Sequence, residues 1–379
     1  MSFVNYGYSK KWSRKACFFV FQFQNFNPLL ITIIGMIYRQ HKPVYYSPSS
    51  RSALAEAELE YMEQHLSHPV YVLFDIDKNS TIENEFLRNI VSTHEKVQLA
   101  VWTTTPWTLS ANMVRVQDRL IGSRADMLCF MQGIAVNNDL VYDISRCKNH
   151  ISDGGAVIFA NSRLVPISDI LKPVDRYGQI KGMYISASRY IEQLVSINYY
   201  SKGSDLVGVS YKPLFSSLCP SAKSMKIIPS SHVTALSGTG LVHCAPAHGE
   251  EDYIAFRSLG LLSNATTMLC HVDEKGAFSP EIANVVGEEA AARLVGKDVL
   301  VKGNAAMVEL LGKEKKVVKT EKIRHRYPYD WKTSQPVIMT YDSFFFHRHF
   351  TNLHFSPLTG RRHNGLPIWM VSKRMRLGR

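Results

Sequence analysis

The sequence predicts a mixed α+β protein rich in β-structure, not a doubly wound sheet. Many short β-branched or apolar runs are spread along the chain, with short helix-forming stretches between them rather than one per strand. No repeat with a period of about 20–50 residues is visible, which excludes a solenoid. A length of 379 residues allows two or more domains.

In chain order, His41 to Ser50 reads as extended, because Pro43 and Pro48 impose β or polyproline geometry. Ser52 to Tyr61 has helix-forming composition, although Leu54, Leu59 and Tyr61 form no single apolar stripe. Residues 68–74 and 97–103 read as strands. Ala156–Phe159, Lys226–Ile228 and Leu241–Ala245 are further strand candidates. Asp252 to Leu259 reads as a helix stopped by Gly260. Glu288–Leu294 and Asn304–Leu311 are expected to be two more short helices.

Bulk properties narrow the function classes. The net charge of +12 invites a nucleic-acid reading. Its distribution weakens that reading. Residues 1–55 carry 7 basic and no acidic residues, and residues 343–379 repeat that balance. Residues 56–342 hold 30 basic against 32 acidic, a net of −2. Any RNA contact must therefore be argued from a site. Cys17, Cys129, Cys147, Cys219, Cys244 and Cys270 include no C-x-x-C pair, which argues against a zinc ribbon or a disulfide framework and fits a reducing compartment. The apolar runs Ala16–Val20 and Leu29–Tyr38 are separated by Gln22, Gln24, Asn25, Asn27 and Pro28, and neither reaches the roughly 18–20 residues of a membrane helix. With Lys10, Lys11, Arg14 and Lys15 ahead of them, they also fit a signal or transit peptide.

Two stretches carry the chemistry. In Val101-Trp102-Thr103-Thr104-Thr105-Pro106-Trp107-Thr108, a strand ends in a row of hydroxyls. Thr105 stands at an N-cap position with Pro106 first in the helix, and free N–H groups there favour negative charge. Such hydroxyls suit an ester, a ribose or an attacking water. From this segment alone, strand threonines followed by a capped helix are the more common explanation. The second stretch runs from Gly238 to Tyr253 and places His243 and Asp252 nine residues apart across a Pro/Gly turn. Asp252 lies in a first helical turn, where the helix dipole favours any carboxylate. His243 and His248 match no established metal spacing, so no metal is expected. His243 and Cys244 are adjacent on a strand and so point to opposite faces, a poor arrangement for a nucleophile and its base.

Taken together, Thr103-Thr104-Thr105-Pro106-Trp107-Thr108 and, about 130 residues later, the GTGLVHCAPAHGEEDY stretch closely resemble isoleucyl-tRNA synthetase of the bacterial and mitochondrial type. Related valyl and leucyl enzymes carry an arginine after the second threonine, where this chain has Thr105. Tyr46–Tyr61, Val272–Phe278, Tyr327–Lys332 and Gln335–Ile338 add supporting matches, and the resemblance runs from about Gly35 to Ile338.

The resemblance implies a β-rich editing domain, of the type shared by valyl, isoleucyl and leucyl enzymes, inserted in a remnant of a class I Rossmann catalytic domain. Its implied boundaries are 35–62 for the catalytic remnant and entry strand, 63–325 for the editing domain and 326–346 for the return strand. Residues 1–34 and 347–379 are expected to be unmatched tails. The implied chemistry is double-sieve proofreading. One missing methylene is worth only about 1–3 kcal/mol in an apolar pocket, a magnitude established on isoleucyl-tRNA synthetase itself, so a second pocket hydrolyses valine esters. Asp252 would bind the α-ammonium, and His243 would lie against the side chain and help exclude isoleucine. Thr103, Thr104, Thr105, Thr108 and Asn112 would orient the ester, the terminal ribose and the water.

The implied partner is the 3′ end of tRNA(Ile) carrying valine, met by a monomer with no membrane contact, and the implied location is the mitochondrial matrix, with the cytoplasm as alternative. Editing needs no cofactor. ATP and magnesium serve the parent enzyme's ligation, whose His-x-Gly-His and Lys-Met-Ser-Lys-Ser motifs are not found in this sequence. Ser110 stands where proline is usual, and Met113 where a charged residue is common. The expectation is a fragment able to edit. Its rivals are a non-catalytic domain that binds a tRNA end and a nonfunctional truncated product.

Overall fold

A computed structural model describes residues 37–110, 112–116, 127–131, 133–147, 155–176, 201–218, 223–262 and 267–347. The chain divides into two units, Lys42–Asp342 and a second made of Met1–His41 with Ser343–Arg379. Only 37–41 and 343–347 of the second unit are described, so the N-terminal apolar runs, Ile37 and Tyr38 apart, and most of the two tails lie outside the described residues.

The described strands are β1 (Ile37–Ser47), β2 (Ser52–Ala53), β3 (Leu59–Ser67), β4 (Val70–Asp75), β5 (Val97–Thr103), β6 (Asn112–Val116), β7 (Met127–Met131), β8 (Gly133–Val136), β9 (Val141–Cys147), β10 (Ala156–Ala160), β11 (Pro173–Arg176), β12 (Ser201–Lys202), β13 (Ser210–Tyr211), β14 (Met225–Pro229), β15 (Val242–Cys244), β16 (Thr267–Leu269), β17 (Val317–Thr320), β18 (Ile323–Asp330) and β19 (Ile338–His347). The helices are α1 (Glu85–Thr93), α2 (Leu164–Leu171), α3 (Gly203–Leu206), α4 (Glu250–Ser258), α5 (Ala283–Val286), α6 (Glu288–Ala291) and α7 (Lys302–Lys313). None is long and apolar enough to cross a membrane. The architecture is the β-rich α+β class that the sequence predicts.

The central sheet runs β11-β9-β10-β5-β4-β17, with β12 also on β9. Its middle strands are apolar because both faces are covered. Val70 to Phe74 of β4, Val97 to Val101 of β5 and all of β10 are buried. β5 pairs parallel with β10 and antiparallel with β4. A second sheet, β13-β14-β8-β15, sets His243 of β15 opposite Ile134 of β8. β16-β6-β7 forms a third sheet, and β3 with β18 a two-stranded ribbon.

The expected strands at 97–103, 156–159 and 226–228 match β5, β10 and β14 within two residues at each end. The helix expected over 252–259 is α4, which begins two residues earlier and ends against Gly260 at φ 70°. Ser52–Tyr61 corrects the helical composition read there. Only Glu56–Glu58 makes a 3-10 turn, closed by the Glu58 carboxylate on the Ala55 N–H at 2.9 Å. Leu59 then enters β3 opposite Asp330. Without an apolar stripe, helix propensity yields to strand pairing. Residues 288–294 are helical only to Ala291.

Candidate functional site

The threonine row folds into a ledge at the end of β5. The Thr105 N–H donates to Thr103 Oγ1 at 3.1 Å, and the Thr103 and Thr105 hydroxyls lie 3.3 Å apart. Thr108 Oγ1 sits 3.4 Å from Thr105 Oγ1 and donates to the Thr105 carbonyl at 2.9 Å. The segment after Thr105 is a 3-10 turn, Pro106–Ser110, opened by the Thr108 N–H on the Thr105 carbonyl. This corrects the expected helix N-terminus: five residues of 3-10 turn give little dipole, so the hydroxyls themselves must do any binding. Ser110, in the place of the usual proline, closes the turn by donating to the Trp107 carbonyl at 3.1 Å. Asn112 begins β6 opposite Met131, and its side chain lies outside the described residues.

A cavity of about 20 Å³ opens beside the ledge, lined by Thr104, Thr105, Trp107, Asn304, His65 and Tyr327 among others. Asn304 of α7 holds one wall by accepting the Trp107 backbone N–H at 3.1 Å. The buried Trp107 indole N–H has no hydrogen-bond partner among the described groups.

The second motif begins with a turn that only glycine fits. Gly240 has φ 76°, and a Cβ there would stand 2.2 Å from the Ala160 Cβ. The turn is tied down by Ala160 N–H to Thr239 O at 2.8 Å and by Tyr142 OH to Gly240 O at 2.8 Å. The two motifs meet at two points. Trp102 packs under Gly238, where a Cβ would lie 3.0 Å from the indole. The Trp107 ring stands edge-on to His248 with centroids 4.6 Å apart.

On β15 the side chains alternate as expected. His243 is buried and stacks on Phe74, with ring centroids 6.2 Å apart. Burial, helped by the charge of His248, pulls its pKa down to about 4, so the imidazole is neutral at pH 7. Cys244 faces the other way, 4.0 Å from His232 Nε2. Asp252, in the first turn of α4, accepts the Ala245 N–H through Oδ2 at 2.8 Å and places Oδ1 3.5 Å from His232 Nε2. Burial raises its pKa despite the Ala245 N–H, Cys244 and His232, which favour the ionised form. A cleft of about 390 Å³ lies alongside, lined by His232, Glu251, Ile254 and Asn137 among others. Neither cavity is lined by His243 or Asp252, so the two expected halves of the pocket do not share one of these cavities.

Two groups escaped the sequence reading. Cys270 Sγ lies 3.7 Å from His248 Nε2 and 3.5 Å from Thr340 Oγ1. Burial opposes charge on both, yet the pair lowers the thiol's pKa and raises the imidazole's. His232, the neighbour of Asp252 and Cys244, precedes the motif by six residues in a loop with no periodic signal. No local pattern marks either contact, because both are made by chain segments distant in sequence.

Comparison with known proteins adds the following. Residues 3–354 match the family described as tRNA synthetases class I (I, L, M and V), a span that takes in most of the N-terminal residues set apart as unmatched. The isoleucine–tRNA ligase, chloroplastic/mitochondrial, of Arabidopsis thaliana is 35% identical over 314 residues, 80% of this chain and 24% of that protein. The mitochondrial isoleucine–tRNA ligase of Macaca fascicularis is 32% identical over 345 residues, 89% of this chain and 28% of that protein. The isoleucine–tRNA ligase of Gloeothece citriformis is 35% identical over 80% of this chain and 25% of that protein. The chain thus spans about a quarter of the length of these relatives. Among solved structures, the editing domain of a cytosolic leucyl-tRNA synthetase from P. knowlesi is 13% identical with a TM-score of 0.40, covering 68% of this chain and 98% of that one.

Proposed function

Because the chain belongs to the class I tRNA synthetases (I, L, M and V), we propose that its Lys42–Asp342 unit contains an editing domain, residues 63–325, that hydrolyses valine from mischarged tRNA(Ile). The observation that carries this reading is the meeting of the two motifs, Trp102 under Gly238 and Trp107 against His248, which brings the threonine ledge and the His243/Asp252 segment into one body.

The geometry supports the following roles. A 20 Å³ cavity is enough for about one water, which needs roughly 10–15 Å³ and two to four polar partners. In this reading it seats the attacking water beside Thr104 and Thr105, with Thr103 and Thr108 fixing the Thr105 rotamer through the hydroxyl chain. The ester lies over the rim. Water oxygen attacks the ester carbonyl, the C–O bond to the terminal ribose breaks, and the ribose hydroxyl takes the proton. The ester is already activated, so orientation and hydroxyl donors to the developing oxyanion suffice without a nucleophilic side chain. The neutral His243 imidazole, buried on Phe74, serves as a wall behind the site rather than as a base. Asp252 pairs with the substrate's α-ammonium in place of His232, and an arriving cation favours the ionised carboxylate that burial disfavours. The hydrolysis uses no cofactor. A mitochondrial location accords with the names of two relatives, while the bacterial relative is equally similar.

The test is deacylation by the full chain. Valyl-tRNA(Ile) should release valine, isoleucyl-tRNA(Ile) should persist, and Asp252→Ala should lose the activity. Release no faster than the Asp252→Ala control refutes the reading. Binding without turnover would select the non-catalytic alternative, which the near-neutral charge of residues 56–342 favours.

A further inference from the structure

His232, Cys244 and Asp252 converge from three different segments, a loop, β15 and the first turn of α4. Their ligand atoms all lie within 4.8 Å of one another. We propose that these three side chains form a binding site for a single zinc-class divalent cation, with its open coordination position toward the cleft that His232 lines.

The donor set is the first argument. One imidazole, one thiolate and one carboxylate suit a borderline-soft ion, whereas magnesium and calcium take oxygen ligands. Three protein ligands with a fourth position left open is the arrangement of reactive zinc sites rather than of closed structural ones. Distances are the second. With bonds of about 2.0–2.3 Å, the edges of a tetrahedral zinc site run roughly 3.3–3.6 Å. The His232–Asp252 edge, at 3.5 Å, already has that length, and the Cys244–His232 edge, at 4.0 Å, needs a contraction of a few tenths of an ångström.

The surroundings are built for ligation. His232 Nδ1 is 2.7 Å from Ser230 Oγ, so the hydroxyl holds the ring with Nε2 toward Cys244 and Asp252. The Ala245 N–H occupies Asp252 Oδ2 and leaves Oδ1 for the ion. Cys244 is fully buried, its thiol touching the Val242 carbonyl at 3.9 Å besides the cluster, while His232 and Asp252 keep 14% and 16% exposure and give the ion a way in. The cleft of about 390 Å³ supplies the entry path, with Glu251 at its edge. Cys270 and His248 offer only two ligands, and their thiol is engaged by Thr340, so they make the natural control.

The experiment uses the full chain and zinc(II) alone, titrated against a competing colorimetric chelator, with cobalt(II) as a spectroscopic substitute. One zinc should bind per chain. Cys244→Ser should weaken it by more than 100-fold, and Ser230→Ala, which only frees the ring, by roughly 10- to 100-fold. Cys270→Ser should leave it unchanged. Cobalt(II) added to the unmodified chain should show a thiolate charge-transfer band, a readout that does not depend on any variant folding. Absence of that band, zinc affinity unaltered in Cys244→Ser, or loss of binding in Cys270→Ser overturns the inference.

Discussion

Acid should weaken this fold through one histidine. His243 lies 7% exposed on β15, stacked on Phe74, and burial holds its pKa at about 4 against the ordinary 6.5. Between those values the unfolded chain takes a proton that the folded chain refuses. The stabilisation from neutral His243 is thus fully present above pH 6.5 and is lost as the pH falls toward 4. At about 1.4 kcal/mol per pKa unit, a shift from 6.5 to about 4 is worth about 3 kcal/mol in total, of which about 2 kcal/mol is lost between pH 7 and pH 4.5. Other groups titrate in the same window, so the comparison must be with His243→Gln, which keeps a polar side chain of similar size and cannot charge. Urea unfolding at both pH values gives four stabilities. The variant should lose about 2 kcal/mol less than the parent chain on acidification. Equal losses would show that His243 takes up its proton in the folded state, and the neutral wall assigned to it in catalysis would go as well.

Further outcomes follow from other contacts. Gly240→Ala should cost about 1–3 kcal/mol more than Gly208→Ala in urea unfolding, because both glycines have positive φ but only Gly240 faces a 2.2 Å clash with Ala160. Lys316→Met should raise the Asp75 pKa, measurable by carboxyl NMR. Burial already pushes that carboxyl up, and Lys316 Nζ at 2.6 Å is the chief influence holding it below its ordinary value. The pair is 17% and 27% exposed, so the stability lost at pH 7 should stay near 1–2 kcal/mol and fade as the pH falls through the Asp75 pKa. If both functional readings hold, zinc should inhibit release of valine by occupying Asp252, and Cys244→Ser should abolish the inhibition. Undiminished inhibition in that variant would place the metal elsewhere.

What could be read from the letters follows physical range. β5 and α4 were legible because each carries its own signal: a buried apolar run in one case, and in the other an acidic first turn with a glycine stop. The threonine row and the His243/Asp252 segment were legible as a pair through their resemblance, and two packing contacts now join them. β3 was not legible. Its first residues, Leu59 and Glu60, favour helix in isolation, and the strand exists because residues 323–330 pair with it. Nor could the His232–Cys244–Asp252 cluster be read, since it joins residues on three elements. The sequence reading looked for ligands at His243 and His248, along one segment, whereas Cys244 and Asp252 find their third partner before it.

The ribbon of β3 and β18 carries a mechanical consequence. Residues 68–322 leave and return through two antiparallel lanes, with Ser67 opposite Ile323. Entry and exit of this body are thus adjacent, and Met339 and Thr340 beyond the ribbon also touch it, through His248 and Cys270. Because the entropy of closing a loop grows only with the logarithm of its length, enlarging or trimming that body costs the ribbon little. A designer could therefore splice its two ends together or graft it onto a different hairpin, and the sheets inside would keep their neighbours.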